Sequence, residues 1–243
     1  MWGSHELDHE ITQPFAGHGE RSAAGTLYIV SPPAGAYVRV IKPTLDRVFA
    51  SAVLLLILPI FVACAIAVRV NLGAPIFFTQ VRVGRNGQRF KVYKFRTMQH
   101  DRRDRALDPE ADLVVHDGFV GSDRRKTHKS RVDPRLTGVG RFLRTWSLDE
   151  LPQLWNVVRG DMSIIGPRPE LPEIVAQYNE WEHARHMVRP GLTGLWQVSA
   201  RGEGLPMHEH VGVDIEYVAG ISAVVDLRII VRTPLALLTN RGF

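Results

Sequence analysis

The sequence predicts an α+β fold, mainly helical, on three observations. The stretch "PIFFTQVRVGRNGQRFKVYKFRTM" alternates apolar and basic residues on both sides of Asn86-Gly87, the pattern of a β-hairpin closed by a tight turn. From Ser147 onward, apolar residues recur at helical spacing in several separate segments. The run "VFASAVLLLILPIFVACAIAV", Val48 to Val68, is uncharged throughout and closed by Arg47 and Arg69. Together they describe a small domain of helices around one hairpin, preceded by a long apolar element.

A chain of 243 residues holds one domain, or one domain with an anchor. The lone cysteine, Cys64, excludes an internal disulfide and a cysteine-based metal site, which fits a reducing compartment. The opening "MWGSHELDHE" is acidic and has no apolar core behind it, so no cleaved signal peptide is expected. Residues 1–41 are rich in Gly, Ser, His and Pro without periodicity and read as a mobile tail. Residues 42–70 form the apolar element, and residues 71–243 a domain on its cytoplasmic side.

As a straight helix, Val48–Val68 would measure roughly 30 Å, enough to span a hydrocarbon core. Pro59 interrupts it, because proline cannot donate to the carbonyl of Leu55 and its ring crowds that turn. Arg39, Lys42 and Arg47 precede the run, and Arg69, Arg82, Arg85 and Arg89 follow it. Basic flanks stay cytoplasmic, so both ends belong on one face. The expectation is a re-entrant helix broken at Pro59; a spanning helix and a buried core helix are the competing readings.

After the hairpin, residues 99–133 are dense in charge and read as a long loop. In "TWSLDELPQLWNVVRG", Ser147 and Glu150 fit a capping box, with Leu151, Leu154, Trp155 and Val158 on one face and Gly160 at the end. "PELPEIVAQYNEWEHARHMV" reads as a second helix, and "RPGLTGLWQVSARGEG" as loop with a short strand. "PMHEHVGVDIEYVAG" and "AVVDLRIIVRTPLALLTN" read as closing helices. The last is amphipathic, suited to a membrane interface or to ordinary surface packing.

Residues 69–105 carry ten Lys or Arg against Asp101 and Asp104. Such a block faces anionic lipid or a phosphorylated substrate; no nucleic-acid motif accompanies it. P-loop, GxGxxG, GxSxG, HExxH and Asp-x-Asp patterns are all absent. Asp149-Glu150 is the sharpest candidate site. Both residues could simply cap a helix, yet a helix N-terminus also keeps a nucleophilic carboxylate ionised. Adjacent helical residues point about 100° apart, so one could attack while the other binds a metal. In "GPRPE", Pro167 and Pro169 stiffen the chain around Arg168, matching a phosphate or a uracil edge, or a structural ion pair. "KFRTM" sets Lys94 and Arg96 on one strand face, for substrate or for edge protection.

The stretches "GAPIFFTQVRVGRNGQRFKVYKFRTM", "DPRLTGVGRFLRTWSLDELPQLWNVVRGDMSIIGPRPE", "VRPGLTGLWQVSARG" and "DIEYV" before "VDLRIIVRT" together resemble the bacterial sugar transferases, the monotopic polyprenyl-phosphate phosphoglycosyltransferases. The resemblance covers about residues 42–243. It implies transfer of sugar-1-phosphate from a UDP-sugar to undecaprenyl phosphate, yielding UMP and a lipid-diphospho-sugar at the cytoplasmic face of the bacterial inner membrane. By the same resemblance Asp149 is the nucleophile and Glu150 holds Mg²⁺. Pro167, Arg168 and Pro169 lie near the nucleotide, and Arg144 matches the arginine before the Asp-Glu pair. Where the family often has Ser-Pro at the membrane break, this chain has Leu58-Pro59. A non-catalytic protein that binds anionic lipid is the alternative from another class, and an ordinary glycosyltransferase would release UDP instead. Nucleic acid is not an expected partner; the sugar and a homodimer stay open.

Overall fold

The computed structural model describes residues 33–99, 115–116, 119–120, 135–199 and 211–239. The expected tail and the expected loop over 99–133 lie largely outside these residues. Where the tail is described, Tyr37–Ile41 already forms a π-helical turn running into α1, Lys42–Leu56. Helix α2, Leu58–Leu72, follows at a bend of 66°. The hinge is Ile57 (φ −88°, ψ 6°), and Pro59 falls in the first turn of α2, where its missing N–H does least harm. The Ile57 N–H turns back onto the carbonyls of Val53 and Leu55, so the oxygen that Pro59 leaves without its helical donor still has one.

Among the described residues the pair is not enclosed as a core helix would be. Only Lys42, Asp46 and Ala50 of α1 and Cys64 and Val68 of α2 are buried, each set spaced by one helical turn. Leu55, Leu56 and Val70 are 74%, 80% and 78% exposed. No single helix among the described residues is long and apolar enough to cross a membrane; this bent pair passes that test only jointly.

Strands β1, Phe77–Val83, and β2, Arg89–Phe95, pair antiparallel from Phe77 opposite Phe95 to Val83 opposite Arg89. Their turn needs positive φ at both central residues, and Asn86 (55°) and Gly87 (74°) supply it. Two short strands, β3 (Val115–His116) and β4 (Phe119–Val120), pair with each other. Helix α3, Gly138–Thr145, starts on Thr137, whose side chain accepts from the Gly140 N–H, and packs against α2 around Cys64, Val68, Phe95 and Leu143.

A 3₁₀ turn, Leu148–Glu150, leads into α4, Gln153–Arg159. The capping box expected from Ser147 and Glu150 does not form. Ser147 sits in the left-handed region (φ 54°) and makes no side-chain cap. Pro152 cannot donate to the Leu148 carbonyl, so the turn stays 3₁₀ and the α-helix waits for Gln153. Gly160 ends α4 as expected, at φ 86°. The buried face carries Leu154, Asn156 and Val157, and Trp155 is left half exposed instead of packed. Asn156 binds α4 to β2, its amide donating to the Lys91 carbonyl at 2.7 Å and its oxygen accepting from the Tyr93 N–H at 3.2 Å.

Strand β5, Ser163–Ile165, runs parallel to β6, Gly191–Thr193. A Cβ on Gly191 would lie 2.2 Å from the Gly166 nitrogen, so the two chains cross this closely only because the residue is glycine. The expected long helix after residue 170 is two pieces: α5, Pro172–Val175, and a 3₁₀ segment, Glu180–Met187. Asn179 restarts the chain with its own capping box to Glu182, which is why the pieces do not fuse. Helices α6 (Leu195–Ser199), α7 (Val211–Gly220) and α8 (Ala223–Thr239) complete the described fold. Asp226 of α8 is buried and not part of a wet face. It pairs with Lys42 at 2.7 Å and accepts from Tyr37 and Tyr217 at 2.6 and 2.8 Å, tying α1 to α7 and α8.

Candidate active site

The 3₁₀ turn carrying Asp149 and Glu150 lies against β2. Because β2 is fixed to α4 through Asn156, Lys94 is presented to this turn and its Nζ donates to Glu150 Oε1 at 2.6 Å. Arg168 arrives from the loop after β5 and donates through Nη2 to the same oxygen at 3.0 Å. Glu150 is therefore held by two cations, not by a cap. Burial opposes its charge, but Arg168 and Lys94 outweigh that and keep the carboxyl well below the ordinary range.

Asp149 behaves in the opposite sense. Burial raises its carboxyl, and the Glu150 charge pushes the same way, while Lys94, Arg144 and Arg168 pull it back. The expectation that a helix N-terminus keeps Asp149 ionised is corrected, since the α-helix begins four residues later. Three nearby cations oppose the rise without cancelling it. Arg144, on the last turn of α3, is steadied by its Nε donating to Thr97 Oγ1 at 3.0 Å.

Lys94, Arg144, Asp149, Glu150 and Arg168 thus gather in one place, with Pro167 and Pro169 flanking Arg168. Arg96 does not join them. Strand β2 ends at Phe95, and the buried Arg96 guanidinium binds the carbonyls of Leu72, Gly73 and Ala74 behind the C-terminus of α2. Its work is structural: it satisfies carbonyls that a helix end leaves without donors.

Sequence reasoning missed the groups behind the Pro-Arg-Pro loop. Buried Arg185 and Asp214 pair there with the half-buried Tyr178, and Arg82 reaches Glu170 at 3.5 Å. The only signal was "DIEYV", which places Asp214 and Tyr217 on one helix. His186 borders a narrow crevice lined also by Gly84, Pro167, Arg168 and Pro169. Burial, with Arg185 and His183 nearby, lowers it to about 3, so it stays neutral at physiological pH. No cluster of three His, Cys, Asp or Glu suited to a metal occurs among the described residues.

A half-buried carboxylate ringed by cations, beside a second one whose charge is already compensated, is an arrangement suited to anionic groups. The chain belongs to the bacterial sugar transferase family, whose sequence model matches residues 37–240, and it is a sugar transferase enzyme. It is 40% identical over 201 residues to the exopolysaccharide production protein ExoY of Rhizobium meliloti, covering 83% of this chain and 87% of that one. The undecaprenyl-phosphate galactose phosphotransferase of Salmonella typhimurium is 36% identical over 204 residues, 84% of this chain and 42% of its own. The UDP-glucose:undecaprenyl-phosphate glucose-1-phosphate transferase of Escherichia coli K12 is 35% identical over 221 residues, 88% and 44%. The chain thus spans nearly all of ExoY and less than half of the two phosphotransferases.

Proposed function

We propose that this enzyme moves a sugar-1-phosphate from a UDP-sugar to undecaprenyl phosphate, releasing UMP, as a membrane step in exopolysaccharide assembly. The observation that carries the reading is the contrast between adjacent carboxylates: among the described residues no cation is bonded to Asp149, whereas Glu150 is bonded to Lys94 and Arg168. The names of the Salmonella and Escherichia relatives support the lipid acceptor and the phospho-sugar, and that of ExoY supports the pathway.

The chemistry is two displacements at one phosphorus. An Asp149 oxygen attacks the β-phosphorus, and the bond to the bridging oxygen breaks, its electron pair leaving with UMP. An oxygen of undecaprenyl phosphate then attacks the same phosphorus, the bond to Asp149 breaks, and the carboxylate is restored. A carboxylate approaching a diphosphate meets like charge, about 1 kcal/mol per pair at 4 Å in water and about 4 kcal/mol near a protein surface. Lys94, Arg144 and Arg168 oppose that repulsion.

Mg²⁺ fits this donor set in its usual manner, through one or two carboxylates together with substrate phosphates. Lys94 and Arg168 both take Glu150 Oε1, which leaves Oε2 as the oxygen that would hold the ion. When bound, the ion neutralises charge on the phosphate oxygens.

The bent pair α1–α2 supplies the membrane side of the proposal. Its arms of 15 residues each are about 22 Å long. With a bend of 66° the apex sits about 12 Å from the line joining the ends, within the roughly 15 Å of one leaflet. A re-entrant wedge of that depth keeps the catalytic domain, residues 71–243, on the cytoplasmic face. Exposed Phe142, Trp146 and Trp155 suit the interface beside it.

The test incubates the protein with UDP-sugars, undecaprenyl phosphate and Mg²⁺ and separates UMP from UDP. UMP is expected, with Asp149→Asn abolishing its release while membrane association persists. UDP as product would overturn the reaction, and full activity of the Asn variant would remove Asp149 as nucleophile.

A further inference from the structure

The Pro-Arg-Pro segment has two positions without an N–H, yet all three of its carbonyls are held from outside. The Gly191 N–H donates to the Pro167 carbonyl at 2.9 Å, Arg185 Nη2 to the Arg168 carbonyl at 2.7 Å, and Arg82 Nη1 to the Pro169 carbonyl at 3.4 Å. The middle donor stands out, because Arg185 is only 2% exposed. Its Nη2 also donates to Asp214 Oδ2 at 2.6 Å, and its Nη1 to Tyr178 Oη at 2.6 Å. One planar fork therefore ties the 3₁₀ segment, α7 and the Pro-Arg-Pro loop together. A buried ion pair is weak evidence for stability, since well-packed apolar groups do as well or better in its place. What apolar groups could not do is hold the carbonyl of Arg168.

We propose that Arg185, oriented by Asp214, is a positioning residue: by fixing the Arg168 backbone it aims the Arg168 guanidinium at Glu150 and at the diphosphate of the donor. The proposal rests on the functional reading above. It concerns donor binding, and it acts through Arg168 alone. Small displacements of a group that clamps substrate are costly for catalysis even when their origin is remote.

The experiment is a double-mutant cycle on the full chain in lipid nanodiscs with Mg²⁺. In Arg185→Lys, an ammonium still faces Asp214 but lacks the fork that also reaches the Arg168 carbonyl. The expected loss in kcat/KM for the UDP-sugar is about 100-fold, with KM for undecaprenyl phosphate unchanged. Placed in Arg168→Ala, the same substitution should cost nothing further. Equal losses in both backgrounds would overturn the proposal, because a residue that merely supports the fold acts regardless of Arg168. Asp214→Asn gives a second arm should Arg185→Lys fail to fold, with the same expected dependence on Arg168. Hydrogen–deuterium exchange on peptides covering residues 165–171 supplies a readout free of activity. Faster exchange confined to that segment supports the proposal; exchange unchanged there, or raised throughout the molecule, overturns it. A wild-type protein that releases no UMP from any UDP-sugar would remove the functional reading, and the exchange data would still decide whether Arg185 holds the loop.

Discussion

Asp149 and Glu150 are chemically similar neighbours in opposite environments, and the difference is set by which cation reaches which oxygen. Lys94 and Arg168 are bonded to Glu150 and act on Asp149 only through space. On the proposed mechanism Asp149 attacks as the carboxylate, so activity should fall as pH drops through its raised pKa. Lys94 is the strongest charge lowering that pKa. Lys94→Met should therefore move the acid limb of the kcat/KM profile to higher pH, in addition to lowering its plateau through loss of a Glu150 partner. The measurement is UMP release followed from acidic to neutral pH, with the acid limb of the variant compared with that of the wild type. An acid limb that does not move would assign it to a group other than Asp149. Arg96, two residues on from Lys94, has no part in this, since its guanidinium is spent on the end of α2.

At the scale of elements, legibility followed locality. The hairpin was readable because Asn86 and Gly87 meet a requirement of their own two residues, positive φ. The break in the apolar run was readable because proline acts on the turn beside it, though the hinge falls at Ile57, two residues before the ring. The capping box at Ser147 was not readable, because Glu150 is drawn off by Lys94, 56 residues away, and by Arg168, 18 residues away. Arg185 escaped for the same reason, its partners lying on a loop and on α7. Asp149, Glu150 and Arg168 stood out in short motifs, and that they lie together was not readable. The break itself carries a prediction. Pro59→Ala supplies the helical N–H that the Leu55 carbonyl lacks and removes the ring, so one helix can run straight through Ile57 without the roughly 3 kcal/mol that a proline costs in a helix interior. A straighter α1–α2 can then span. Topology reporters on both flanks should face the cytoplasm in the wild type and divide between the two sides in the variant. Reporters on opposite sides already in the wild type would rule out the re-entrant wedge.

At the scale of the whole molecule, the exposed apolar residues and the basic ones lie on connected elements, so two forces could hold this protein to a bilayer. Leu55, Leu56 and Val70 lie on the bent pair, and Leu227, Val231 and Leu235 on α8, all exposed. Hydrophobic transfer gives about 25 cal/mol per Å² of apolar surface buried, and salt does not screen it. The basic hairpin adds about 1 kcal/mol per Lys or Arg near an anionic surface, and that attraction fades once the Debye length falls to about 3 Å in 1 M salt. If the wedge inserts, apolar burial dominates. Membranes carrying the protein and washed in about 1 M NaCl should therefore retain it. Replacing Leu55, Leu56 and Val70 together by Ser should release a salt-sensitive fraction without disturbing Glu150, since none of the three touches the site. Complete release of the wild-type protein by salt would mean that charge alone holds it, and the site would then work above the bilayer surface instead of at the level of the lipid phosphates.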